Sequence, residues 1–398
     1  MGDLAFLYLT HPRRGASLRR FASWTALLPE PALEGLLRLL PPLRLGLVPA
    51  IAGAGPGLVV GLPLTDDDLT RRSETARRKV DAALEGARRA GVRTVALGGR
   101  LTEPWWAALV ARQGRVRVVT GEALAIVATV AGLAALAGPG LAGWRVGVAV
   151  GSGRRLAAET LAIWLARSVG RVTLFGARRD HLAGIAARVL GDSGLVVEIV
   201  GRTDDRPGHP GVRPDPAAVQ FDRLDALCLL GAPPPGIARA VEEETVVVDL
   251  APAPTAAAEL TAAGRGLRLA RGALIGVPWP GPCPARLARL FPTGAGPAGR
   301  AARFLPPAVA EAILEAGEDL GSGLAQPSLR RVERLAALAR RHPLGLDGLR
   351  WLDTGRPEAP AGDRKLPRRQ ESGGRQRNQT NGSDDDGGRG PRAGVRLP

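Results

Sequence analysis

Residues 146–179 read VGVAVGSGRRLAAETLAIWLARSVGRVTLFGARR, and the fold is decided here. Val146 to Val150 are small and β-branched, the pattern of a strand buried on both faces, and Gly151 and Gly153 break that run. From Leu156 to Ser168 the apolar residues recur at helical spacing, and after Gly170 a second apolar run follows, Val172 to Phe175. Strand, glycine turn, helix and strand thus close within about thirty residues, the length of a βαβ mononucleotide-binding unit. The turn suits a phosphate for a physical reason. Glycines let the backbone approach a pyrophosphate, while the unpaired N–H groups and the dipole at the helix start favour its negative charge.

The spacing departs from G-x-G-x-x-G/A. Gly151-Ser152-Gly153-Arg154-Arg155-Leu156-Ala157 brings the next small residue one place late, with two arginines between. A plain strand-to-helix turn without a dinucleotide is the alternative reading. The end of the second strand argues against it. A NAD-preferring site carries Asp or Glu there for the ribose 2′-hydroxyl, whereas Arg178 and Arg179 suit the 2′-phosphate of NADP. The expected cofactor is therefore NADP (NADPH), with Gly151, Ser152, Gly153, Arg154, Arg178 and Arg179 as its contacts.

Downstream the alternation continues. A helix is expected from His181 to Leu190, then strands at Leu195–Val200, Ala226–Leu230, Thr245–Asp249 and Leu267–Ala270, with a Pro/Gly-rich loop at 204–216. Ligands of an open parallel sheet lie outside the carboxyl ends of its strands, which adds Gly231, Ala232 and Asp249 to the candidate site. Val309 to Leu320 predicts a helix returning onto the sheet.

Upstream, strands are expected at Leu4–Leu9, Gly57–Leu62, Thr94–Leu97 and Val116–Val119. Glu30 to Leu40 reads as an amphipathic helix stopped by Pro41-Pro42. Thr65 and three aspartates are expected to cap one long helix, Thr70 to Ala90, whose apolar face carries Ala76, Val80, Ala83, Leu84 and Ala87. Between Glu122 and Arg145 no residue is charged, but Gly138-Pro139-Gly140 cuts the run short of the roughly twenty residues a span needs. A buried linking helix is expected there, and no membrane span.

The chain of 398 residues is 45% apolar and carries a net charge of +16, almost all from arginine. Its arginines are scattered beside glutamates and its aromatic residues are few, which excludes the basic stripe of a nucleic-acid binder. Cys228 and Cys283 form no metal or disulfide pattern, and a reducing cytoplasm is the expected setting. His11, His181, His209 and His342 lack ligand spacing. Lys79 is the only lysine before Lys365. A lysine can lose its proton where an arginine cannot, so Lys79 is the candidate catalytic residue, the alternative being a lysine that lies over apolar surface with its head in water.

The order Gly61-Leu62-Pro63-Leu64-Thr65, Ala96-Leu97-Gly98-Gly99, Thr120-Gly121, the turn at 151, Asp249 and Ala310-Glu311-Ala312 resembles the cyanobacterial-type long-chain acyl-[acyl-carrier-protein] reductases. It is similar also to their bacterial shikimate or amino-acid dehydrogenase-like relatives. The resemblance, over roughly Leu4 to Glu318, implies an N-terminal α/β domain, an NADP-binding Rossmann domain, and reduction of a thioester-bound acyl group. It also places the family's nucleophilic cysteine at Ala308, so the covalent chemistry is not expected here. Cys283, flanked by prolines, is expected to be inert.

The resulting expectation is an α/β protein divided into an N-terminal α/β substrate domain (1–121), a linking helix (122–145), a doubly wound parallel-sheet domain (146–320), a C-terminal helical segment (321–353) and a tail (354–398) disordered by composition. Its expected function is NADP-dependent oxidoreduction of a carbonyl, acyl or alcohol substrate, with a catalytically degenerate nucleotide-binding or regulatory relative as the alternative. The expected partner is that small-molecule or acyl substrate and no nucleic acid; a homo-oligomer is left open.

Overall fold

The computed structural model describes residues 4–12, 27–114, 116–151, 153–201, 223–231, 237, 241–242, 244–251, 268–273, 275–291, 293–295, 301–316, 323–342, 344–346 and 349–351. The loop at 204–216 and the tail at 354–398 lie outside them, as do Ser152 and Ala232.

The first half runs β1 (Phe6–Thr10), α1 (Glu30–Leu39), β2 (Leu43–Val48), β3 (Gly57–Gly61), α2 (Asp66–Thr70), α3 (Glu74–Arg89), β4 (Thr94–Leu97), α4 (Pro104–Gly114), β5 (Arg117–Val119) and α5 (Glu122–Ala137). The second runs β6 (Arg145–Val150), α6 (Arg155–Ala166), β7 (Arg171–Gly176), α7 (Arg179–Ser193), β8 (Glu198–Gly201), β9 (Ala226–Leu229), β10 (Val246–Asp249) and β11 (Arg268–Ala273). The remaining elements are β12 (Ile275–Pro278), α8 (Ala285–Leu290), β13 (Thr293–Ala295), β14 (Ala301–Leu305), α9 (Pro307–Glu315), β15 (Gly323–Leu324), α10 (Leu329–Arg341) and β16 (Leu349–Trp351).

These strands form two main sheets and a small antiparallel one, β12-β14-β13. The first sheet has the order β15-β5-β4-β1-β3-β2 and is parallel except for β2. The second has the order β16-β11-β10-β9-β6-β7-β8, with only β16 antiparallel. Numbered from β6, its parallel strands take the order 3-2-1-4-5-6, which is the doubly wound dinucleotide-binding arrangement. The strands at its centre, β6 and β9, are buried on both faces, as helices on each side require.

The single helix expected behind Thr65 is two helices. Thr65 closes a capping box on α2, its Oγ1 accepting the Asp68 N–H at 3.3 Å while its own N–H donates to Asp68 Oδ2 at 3.0 Å. The chain then turns through Arg72 at φ +52°, and Ser73 caps α3 by accepting the Ala76 N–H at 3.2 Å. Periodicity does not register a second cap inside one apolar run, and here the second cap ends the first helix. The C-terminal segment also differs from expectation. It is helical only in α10, with β15 joining the first sheet and β16 the second.

The uncharged stretch forms α5 and a following 3₁₀ turn to Gly143. It is apolar enough to cross a membrane by composition, yet half of its most apolar window is buried inside the fold. Ala123, Leu124, Ile126, Val127, Ala128 and Val130 lie in the core, where α5 packs against α6, α9, α10 and β11. It is the beam between the two sheets.

Candidate active site

The second sheet reverses its winding between β6 and β9, and there the two strand ends come into backbone contact. A Cβ on Gly151 would sit 2.7 Å from Gly231 Cα and 3.0 Å from Leu230 O, while one on Gly231 would sit 2.6 Å from Gly151 Cα. Only glycine fits either place. Gly153 turns the chain at φ +75°, the Arg154 N–H donates to Gly151 O at 3.3 Å, and α6 begins at Arg155 with no side-chain cap. Ala157, one place late in sequence, is buried where α6 leaves the sheet.

Arg178 is the N-cap of α7 and Arg179 its first residue; that helix start also lacks a side-chain cap. Both arginines are exposed, as is Arg155, whose Nη2 reaches over Gly184 of α7. Among the described residues none of the three pairs with a carboxylate. By contrast Arg167 pairs with Asp192 and Glu333, Arg171 with Glu198, and Arg188 with Glu159. A helix dipole opposes cations at its amino end, so three such arginines around two uncapped helix starts make a place for an anion. Asp249 is buried at the end of β10, where its Oδ1 accepts the Ala251 N–H at 2.9 Å and braces the turn.

Arg154 turns the other way. Its buried guanidinium pairs with Glu122 at the start of α5, and its Nη2 donates to Thr102 Oγ1 at 3.3 Å. Burial, partly offset by Glu103, lowers its pKa to about 10, so it stays charged at neutral pH. Pro104 lies beside Gly153, 3.6 Å from where a Cβ there would be. Thr102, Pro104 and Glu122 all follow the carboxyl ends of β4 and β5, so the carboxyl edges of the two sheets face each other across this contact. His11, just past β1, completes the edge: its Nε2 accepts the Arg100 N–H at 3.0 Å, and Arg100 pairs with Glu103 at 2.7 Å. Sequence reasoning did not single out Glu122 or Thr102, although Glu122 is the one acid opening an otherwise uncharged helix.

Lys79 is buried, and its Nζ donates to the Leu37 carbonyl at 2.5 Å and the Pro63 carbonyl at 3.0 Å. It ties α1 and the loop after β3 to α3. Burial, partly offset by the charge of Asp68, lowers its pKa to about 8.

The amino end of α5 meets a buried ionic group. Glu311 accepts the Leu124 N–H at 3.1 Å, capping α5 from another helix, and its other oxygen takes Arg331 at 2.7 Å. Glu315 joins the group, pairing with Arg331 at 2.5 Å and with Arg117 at 2.8 Å. Burial raises the pKa of Glu311, Arg331 partly offsetting it. Ala308 is buried with its backbone against Gly121. Cys228 is a core residue whose thiol burial pushes up to about 12, and burial also raises Cys283 despite the charge of Arg303.

A 3-2-1-4-5-6 sheet with a glycine turn at its switch point defines a doubly wound α/β protein of the Rossmann type. No protein-family model and no curated protein matches the chain. Among solved structures it is similar to a 5-ketofructose reductase of Gluconobacter sp. strain CHM43, at 13% identity over 68% of this chain and 87% of that one, with a TM-score of 0.32. It is similar also to a quinate dehydrogenase from Corynebacterium glutamicum in complex with NAD (14%, 67% and 88%, 0.32) and to an L-tryptophan dehydrogenase from Nostoc punctiforme (10%, 84% and 80%, 0.34). Likenesses this distant transfer no residue role and no substrate; the fold stands on its own strand order.

Proposed function

We propose that the chain is an NADP-dependent oxidoreductase acting on a carbonyl or the corresponding alcohol held between the facing carboxyl edges of its two sheets. The observation that carries this reading is the backbone contact of Gly151 and Gly231 at the switch point, with Arg155, Arg178 and Arg179 exposed beside it and paired with no carboxylate among the described residues. A side chain at either glycine would fill the cradle, so the residues present fit a dinucleotide. Gly151 and Gly153 would lie under the pyrophosphate, and Arg178 and Arg179 would take the 2′-phosphate. The dinucleotide, when bound, supplies or accepts hydride. Lys79, whose pKa burial lowers to about 8, is the proton partner in this reading. Acyl transfer through a covalent thioester is not part of it, because Ala308 offers no nucleophile.

A second reading, a nucleotide-binding relative without turnover, is favoured by one observation: the ammonium of Lys79 is already committed to two main-chain carbonyls. Fluorescence titration with NADPH and NADH tests the first step common to both. NADPH is expected to bind more tightly, and Arg178→Ala with Arg179→Ala to erase the difference, at about 1.5–3 kcal/mol per charged hydrogen bond lost. Equal affinities in the unmodified protein would remove the 2′-phosphate assignment, and binding of neither would remove the oxidoreductase. Hydride transfer to any of a panel of carbonyl compounds separates the two readings.

A further inference from the structure

The carboxyl edge of the first sheet carries a second group of cations that the dinucleotide does not use. Helices α3 and α4 each begin on that edge, because each belongs to the crossover that leaves a parallel strand's carboxyl end. Trp105 is the second residue of α4. The Arg72 Cζ lies 4.8 Å from the centroid of its ring and the Arg77 Cζ 5.1 Å from it. The indole is anchored from behind. Trp106 is buried, meets Trp105 edge-on at 4.7 Å between centroids, and donates through Nε1 to Leu69 O at 3.0 Å.

Two guanidinium groups on one ring repel each other, and both sit near the amino end of α3, where the helix dipole also opposes them. Arg72 is held there by a left-handed backbone at φ +52°, unusual for a residue with a side chain. Among the described residues neither arginine pairs with a carboxylate. Two nearby acids are already engaged, Asp66 with Arg100 and Asp68 with Arg38. Pro104, next to Trp105, is the residue that meets Gly153, so the group borders the contact between the sheets beside the 151 turn.

We propose that Arg72 and Arg77, held by Trp105, form a subsite for an anionic group of the substrate, a carboxylate or a phosphate. A guanidinium presents paired N–H donors that match two oxygens of either group, and two of them held within about 5 Å of one indole ring centroid favour such an anion over a neutral ligand. As a substrate subsite it rests on the oxidoreductase reading, but its anion binding is measured without the dinucleotide, so the two can fail separately.

The full-length protein is titrated with inorganic phosphate and, separately, with succinate at constant ionic strength, following tryptophan fluorescence. A saturable change is expected that disappears in Trp105→Phe, weakens at least tenfold in Arg72→Gln with Arg77→Gln, and stays within twofold in Arg178→Ala with Arg179→Ala. The tighter of the two anions identifies the group. Arg72→Lys with Arg77→Lys keeps the charge and loses the fork, so an intermediate weakening is expected and the test survives if the glutamine pair does not fold. NADPH affinity should stay within twofold in the glutamine pair, which separates this subsite from the cofactor site. No saturable change with either anion, or a response that survives the glutamine pair and vanishes in the Arg178 and Arg179 variant, overturns the proposal.

Discussion

At the scale of single residues, Lys79 ties a sign to a pH range. Its pKa is about 8 in the fold against 10.5 for a free side chain. Between those values the unfolded chain holds a proton that the folded chain has shed, so Lys79 makes stability rise with pH across that window; below it, the cost of burying the charge is fully present. Lys79→Met cannot titrate. Urea unfolding at pH 7.5 and pH 10 should show the unmodified protein gaining on this variant at the higher pH, and parallel behaviour would mean that the ammonium is not buried as described. The thiols give a second residue-scale prediction. Burial holds Cys228 and Cys283 above the ordinary thiol range, leaving little thiolate near neutrality. Incubation with an acyl-carrier thioester should leave the intact mass unchanged, and Cys283→Ala should not alter turnover; an acyl adduct lost on that substitution would make Cys283 a nucleophile.

At the scale of elements, α9 and the start of α6 converge on the amino end of α5. Gly121 caps it at φ +79°, and a Cβ there would fall well inside contact distance of the Ala308 backbone nitrogen and the Pro307 carbonyl carbon. Glu311 caps the same turn in trans, and Glu122 reaches Arg154. Gly121→Ala should therefore destabilise by about 2–4 kcal/mol, combining a left-handed backbone with overpacking against main chain that cannot yield. Gly194, which ends α7 at φ +72° with open space around it, is the control. Gly194→Ala should cost only the conformational part, about 1 kcal/mol. Denaturant midpoints compare the two directly, and equal losses would show that Gly121 is not packed as tightly as the geometry requires.

At the scale of the whole molecule, the chain crosses between the two sheets more than once. After the second sheet is complete through β11, β15 returns to the edge of the first sheet and β16 to the edge of the second, with α10 between them held by Arg331 on Glu311 and Glu315. Truncation after Ala316 removes strands from both sheets and leaves two buried glutamates without a shared partner, so it should abolish cooperative thermal unfolding. Removal of 355–398, with hardly an apolar residue to bury, should leave the melting temperature nearly unchanged. A large drop in the second case would mean that the tail contributes to the fold.

What the sequence determined by itself was local and periodic. The βαβ unit at 146–179, the strands of both sheets that alternate with helices, and the buried character of the 122–137 run were legible because period and glycine breaks act within a dozen residues. The short strands β2, β15 and β16 were not, since edge strands of two to six residues carry little pattern and exist only through their partners. Of the candidate site, the glycines and the exposed arginines could be placed from sequence. The tertiary structure alone decided the direction of Arg154, because a buried guanidinium goes where its carboxylate is, and Glu122 reaches it only when the carboxyl edges of two sheets meet. It likewise decided that Lys79 binds two carbonyls, that Glu311 caps a helix nearly two hundred residues before it, and that Gly151 and Gly231 touch: each is a contact between distant stretches of chain, set by packing and not by neighbours in sequence.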